Sequence, residues 1–213
     1  LAIRFYKLDV IAHQVAKLAE QLSPKDIVFK ILRPLTNELW EMVDRGELNL
    51  DQKRAIVHLI KFHVGHILYR RPQQGTQESG PDILVASPVG DPYELHVLQT
   101  ALLGYHYDQN TYFLGGNVTS ASLVDTARAL SPKFVVVWVS PAMEKGQEDQ
   151  LFNYVQDLIS RCPEGTQIII GPSKVLDLKF FGQSTRIHQC EDQAELDRWL
   201  AKNHDGLGQQ ALA

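Results

Sequence analysis

Three short stretches of this 213-residue chain carry side chains whose types and spacing suit a common site. The first is Glu94-x-His96-x-x-Gln99, within the run Ser87-Pro-Val-Gly-Asp-Pro-Tyr-Glu-Leu-His-Val-Leu-Gln99. Forty residues separate Gln99 from the second, Ser140-Pro-Ala142, and twenty-eight separate that from the third, Gly171-Pro172. An imidazole with a carboxylate two residues earlier suits a metal ligand whose second ring nitrogen is held by its own acceptor. A hydroxyl at Ser140 offers a hydrogen bond deeper in a cleft, and Gly171 lets backbone approach a ligand closely. Together they would accommodate a group liganded at the mouth by His96 and a long nucleotide-like tail passing Ser140 and Gly171. Each residue also has a plainer reading. Glu94 suits the first turn of a helix, where the macrodipole favours carboxylates. Ser140 and Gly171 suit turns at strand ends, and His96 suits a loop before a helix.

The elements that must position these residues come in two halves. From about Tyr6 to Arg71 the apolar residues recur at three and four: Val10, Ile11, Val15, Leu18 and Leu22, then Ile27, Val28, Ile31, Leu32 and Leu35. Ser23-Pro24 with Asp26 starts a helix, Pro34 is expected to kink or restart it, and Gly46 ends it. Asn49 with Gln52 can cap the next helix, which runs through Val57, Ile60, Val64 and Leu68. The reading is a small antiparallel helical bundle over 1–71, then a Pro/Gly-punctuated polar linker over 72–81. From Asp82 strands and helices alternate. Strands are predicted at Ile83–Ala86, Thr111–Leu114, Phe134–Val139, Gln167–Ile170 and Thr185–Gln189. Helices are predicted at Leu95–Tyr107, Ser120–Leu130, Gln147–Arg161, briefly near Lys174–Phe180, and at Gln193–His204. The fold class is α/β: the helical bundle followed by a five-stranded, doubly wound, flavodoxin-like parallel sheet over 82–204, in order 2-1-3-4-5, with a tail at 205–213. That topology places His96 on the loop at the carboxyl edge of the first strand, where open α/β sheets bind ligands.

Composition excludes several classes. Twenty-one Lys and Arg against 25 Asp and Glu give a net charge of −4, which argues against a bulk nucleic-acid-binding surface. No apolar run has the length of a membrane span, and no secretory signal opens the chain. Cys162 and Cys190 are isolated, so a cytoplasmic, disulfide-free protein is expected. Gly115-Gly116 lacks both the P-loop and the dinucleotide-binding spacing. The third strand ends Trp138-Val-Ser140-Pro without an acid, which disfavours a phosphoacceptor. The chain opens on Leu1, so a fragment or processed form of a longer protein is expected.

On these residues the chain resembles the cobalamin-binding domain family, whose motif is D-x-H-x-x-G, then S-x-L or S-x-T about forty residues on, then G-G a little under thirty later. Glu94 stands at the acid, as in light-responsive MerR-type transcription regulators. Gln99 replaces the first glycine, Ala142 the Leu or Thr, and Pro172 the second glycine of the pair. The bundle is also similar to theirs: Leu32-Arg-Pro34 through Trp40, then Arg45-Gly46-Glu47-Leu48 and a further helix. The resemblance implies cobalt ligation by His96, with Glu94 fixing the proton on the other ring nitrogen and Ser140 and Gly171 holding the tail. It also implies an upper face, where the family carries a Trp three residues before that Gly and Glu-His after it. Here those positions are Val43, Lys53 and Arg54, with Trp40 one turn earlier. The family's adenosyl-shielding set is therefore absent, and Lys53 and Arg54 suit either a solvated basic face or pairing with a macrocycle's side chains. His63 and His66 share a helix face and offer a further axial ligand to cobalt or haem, or an ordinary amphipathic surface.

The resulting expectation is a non-enzymatic sensory module of a transcription regulator. It would be homo-oligomeric, contact DNA only through a MerR-type domain upstream of Leu1, and have no membrane contact. Ligand between bundle and sheet would fix their relative pose. The alternatives are a corrinoid carrier of a methyltransferase system, or a degenerate module that binds another tetrapyrrole such as haem or a bilin, or a protein partner.

Overall fold

A computed structural model describes residues 2–68, 80–90, 94–139, 147–172, 176, 181 and 185–210, with side chains up to 203. The chain divides into two compact units, Leu1–Gln77 and Glu78–Ala213.

The first unit is helical. α1 (Leu8–Gln21) packs along α4 (Leu50–Leu68), and the chain between them winds through a short α2 (Pro24–Asp26), a π-helical stretch Ile27–Leu32 and α3 (Arg33–Asp44). The start signals act as the sequence suggests. The Ser23 hydroxyl accepts from the Asp26 N–H at 3.1 Å. The Asn49 N–H donates to Gln52 Oε1 at 2.9 Å while the Gln52 N–H donates to Asn49 Oδ1 at 2.8 Å, a reciprocal box that satisfies two helix-end donors. The Arg45-Gly46-Glu47 motif is a helix-end clasp: Gly46 takes a φ of +72°, and the Arg45 guanidinium pairs with Glu38, Glu41 and Glu47. Pro34 does not break the helix. It lacks an N–H, and its ring crowds the carbonyl one turn back, so the widened π winding that precedes it absorbs the misfit without a stop. The unit's core is Ile11, Val15, Val28, Leu32, Leu39, Met42, Ile56, Ile60 and Val64, all buried.

The second unit is a parallel sheet in the order β2-β1-β3-β4-β5, as the alternation of strands and helices implies. β1 (Ile83–Pro88) is buried at every residue and lies between β2 (Thr111–Val118) and β3 (Phe134–Val137), followed by β4 (Gln167–Ile170) and β5 (Ile187–Gln189). One face carries Leu84, Ala86, Val135, Val137, Ile168 and Ile170 against α6 (Ser120–Leu130) and α7 (Glu148–Arg161). α5 (Glu94–His106) and α8 (Gln193–Gln210) pack against each other, tied where the Tyr107 hydroxyl donates to Asp197 at 2.7 Å. Trp199 of α8 meets the Phe134 ring edge-on, with centroids 4.8 Å apart. Strands covered on both faces have to be apolar at successive positions, which is why Phe134–Val137 and Gln167–Ile170 read as continuous β-branched runs.

The boundaries shift locally. β2 continues to Val118 through register slips opposite β1, enabled by Gly115 at φ +86°. β3 ends at Val137 rather than Val139, although the Trp138 N–H still bonds the Ala86 carbonyl at 2.9 Å. The brief helix near Lys174–Phe180 lies almost wholly outside the described residues. Among the described residues no helix is long and apolar enough to cross a membrane.

Candidate functional site

The carboxyl edge of β1 gathers four groups. Ser87, the second-last residue of the strand, is fully buried, and its hydroxyl has no hydrogen-bond partner among the described residues. Gly116 of β2 lies beside it: a Cβ there would stand 3.3 Å from Ser87 Oγ and 2.9 Å from Glu94 Cγ. Glu94, the first residue of α5, therefore folds its side chain over Gly116, towards β2. His96 goes the other way. Its ring lies nearly parallel to the indole of Trp138, just past β3, with centroids 6.1 Å apart and planes 14° from each other. Residues two apart on a helix do not share a face. Among the described residues the carboxylate side chain thus lies by β2 and the imidazole by the residue that follows β3.

His96 also stands inside α5 as its third residue, not on the preceding loop. Burial of Val97, Leu98, Ala101 and Leu102 drives this, because a helix lying on the sheet has to begin early enough to cover it. The same periodicity turns Gln99 inward. Gln99 is fully buried, and its Oε1 accepts from Gln193 Nε2 of α8 at 2.8 Å. Gln99 thus joins α5 to α8. Ser140 lies outside the described residues.

Gly171 follows β4, and its N–H donates to the Val137 carbonyl at 2.7 Å. A Cβ at 171 would stand 2.8 Å from Cδ2 and Cε3 of Trp138, and that indole is only 2% exposed. The close approach that needs a glycine here is made by the protein's own tryptophan. Trp138 and Ser87 are the two residues that sequence reasoning did not single out. Their signals were present: a lone Trp ending a Val run, and a lone hydroxyl ending an aliphatic strand. At the same carboxyl edge, where β1 and β2 end beside α6 and α7, an open cleft of about 890 Å³ is lined by residues including Pro88, Val89, Thr119, Asn153, Tyr154 and Asp157, none of them a predicted site residue.

In the helical unit, Trp40 and Lys53 come together across α3 and α4, the ammonium 2.6 Å from the ring centroid. Val43 is half-buried one turn further along α3, while Arg54 is exposed and pairs with Asp51 at 3.2 Å. His63 packs edge-on against Phe62, and His66 is exposed. Burial, then the neighbouring Arg54, push the Lys53 pKa down to about 8 against the opposing pull of Asp44. A base whose folded pKa is depressed binds fewer protons folded than unfolded between its two pKa values. The helical unit is therefore expected to gain stability as pH rises from about 8 towards 10.5. Denaturant midpoints across that range test it, and Lys53→Met should flatten the rise.

Among the described residues no group of three or more His, Cys, Asp and Glu side chains could hold a metal ion. Among the described residues at the edge, the His96 imidazole is the side chain suited to ligate a metal already held in a macrocycle. With its nucleotide tail laid beside Gly171, as the resemblance implies, a corrinoid would meet the Trp138 indole there.

A helical unit followed by an all-parallel β2-β1-β3-β4-β5 sheet is a fold that this chain shares with a solved corrinoid protein. Among solved structures the chain is similar to the monomethylamine corrinoid protein of Methanosarcina barkeri, with a TM-score of 0.60 and 15% identity over 92% of both chains. It is also similar to the methanol:cobalamin methyltransferase complex of Methanosarcina barkeri (TM-score 0.48, 14% identity, 96% of this chain and 77% of that one). A third is a cobalamin-binding protein from Desulfitobacterium hafniense (TM-score 0.46, 14% identity, 94% of both chains). No protein-family model matches the sequence, and no curated protein matches it.

Proposed function

We propose that this chain is the sensory module of a transcription regulator, built on the corrinoid-binding fold, and that its α/β unit takes a planar tetrapyrrole at the carboxyl edge of the sheet. The observation that carries the reading is the His96 imidazole held parallel to a buried indole at that edge. Stacking on a ring that cannot move fixes the imidazole plane, and an axial ligand needs that orientation before its partner arrives. Ser87 adds an unused hydroxyl a few ångströms from Glu94, able to hydrogen-bond a polar substituent. The bundle's similarity to MerR-type regulators supports the regulatory role. In that reading the protein is a non-enzymatic homo-oligomer that reaches DNA through a domain N-terminal to this segment. A corrinoid carrier of a methyltransferase system shares the fold and is separated by one assay: methyl transfer from methylcobalamin to a thiol or folate with a partner enzyme would replace the sensory reading.

A second reading follows from the start of α5 at Glu94. The motif D-x-H-x-x-G placed three residues earlier aligns its acid with Asp91, its histidine with Tyr93 and its glycine with His96. The module would then work without a cobalt ligand, as a protein-interaction domain. Desalting after incubation with corrinoids, haem and biliverdin separates the two. Retention of a macrocycle by the wild type, with its visible spectrum altered by His96→Ala and binding weakened about tenfold or more, is the expected result. An unchanged spectrum in His96→Ala removes the ligand assignment, and no retained macrocycle removes the first reading in favour of the second.

A further inference from the structure

We infer that Trp138 is a built-in occupant of the tail slot, so that this module selects tetrapyrroles lacking a nucleotide tail. The inference rests on the proposed macrocycle at His96 and narrows its ligand class.

Four observations converge on the position. The indole is 2% exposed, so it fills space that is closed to solvent without any ligand. It lies so close over Gly171 that a methyl group there would meet it at 2.8 Å. It lies nearly parallel to the His96 ring, with centroids 6.1 Å apart, so it neighbours the proposed ligand side chain. Its backbone is pinned on both sides: the Trp138 N–H bonds the Ala86 carbonyl at 2.9 Å, and the Gly171 N–H bonds the carbonyl of the preceding Val137 at 2.7 Å. A tail running inward from the macrocycle past Gly171 would have to displace this side chain. Displacing it would be costly, because protein interiors are packed to crystal-like density and the indole is only 2% exposed. The same residue that neighbours His96 therefore blocks the path past Gly171. A macrocycle that ends at its own edge meets no such obstacle.

The closing experiment compares two probes on the full chain: cobinamide, which has the corrin ring without the nucleotide tail, and hydroxocobalamin, which has it. Each is titrated against wild type, Trp138→Leu and Trp138→Phe and followed by the visible spectrum of the corrin, with circular dichroism as the check on folding. The wild type is expected to bind cobinamide about tenfold or more tightly than hydroxocobalamin. Trp138→Leu, which keeps an apolar side chain and the fold, should raise hydroxocobalamin affinity about tenfold while leaving cobinamide nearly unchanged. Trp138→Phe, still a planar ring over Gly171, should behave as the wild type. Equal binding of both probes by the wild type, or an unchanged ratio in Trp138→Leu, overturns the inference while the proposed function stands. If the wild type binds neither probe and Trp138→Leu gains hydroxocobalamin alone, the plug is upheld and the proposed ligand class falls. Binding of neither probe by any of the three overturns both.

Discussion

Trp138→Ala is expected to lower the stability of the α/β unit by about 3–5 kcal/mol, the usual cost of emptying a buried aromatic site. The ring is almost wholly buried and touches both His96 and the backbone at Gly171, so the cavity left behind cannot close without moving α5 or β4. Urea unfolding followed by circular dichroism measures the loss. Gly171→Ala should cost about 1–3 kcal/mol for the opposite reason, since its methyl group collides with the ring. The two effects share one cause and are therefore expected not to add: in the Trp138→Ala background, Gly171→Ala should cost little or become favourable. Additive costs in the double-mutant cycle would mean that the indole and the glycine do not share this space.

Gln99→Leu carries the second large effect, about 1–3 kcal/mol. The loss comes from what remains behind. Gln193 is 5% exposed and donates to Gln99, so removing the acceptor leaves a buried amide N–H group with no oxygen to meet it. Replacing both glutamines by leucine removes donor and acceptor together and is expected to recover most of the loss, because two apolar side chains can fill the joint between α5 and α8. If the single and double variants lose equally in the same urea experiment, the pair is not what holds that joint.

Much of the architecture is encoded locally and was legible as such. Ser23, Asn49 and Gln52 cap helices with side chains three residues from the groups they satisfy. Gly46 ends α3 because the chain needs a positive φ there. Val135, Val136 and Val137 identify a strand covered on both sides. The alternation of such runs with helical periods fixes a parallel sheet, and the handedness of its crossovers leaves few strand orders, so β2-β1-β3-β4-β5 follows. Where local rules compete, boundaries moved slightly. Pro34 was expected to kink or restart the helix, and the winding changes from π to α at Arg33, just before it. The helix expected from Leu95 begins at Glu94, so His96 belongs to its first turn and not to the loop.

The sequence by itself determined the class of fold, the existence of a distinctive β1 edge, and the residues from which a site there must be built. Only the tertiary structure decided what those residues face. Gln99 meets a partner 94 positions away, Glu94 leans over Gly116 on β2, and Trp138 covers Gly171 on the next strand. The physical reason is that side-chain direction depends on where a helix begins and on the register of neighbouring strands: a single residue of shift turns a helical side chain by about 100° and reverses one on a strand. The histidine at the edge is therefore a sequence fact, while the tryptophan beside it, which decides what the edge admits, is a fact of packing.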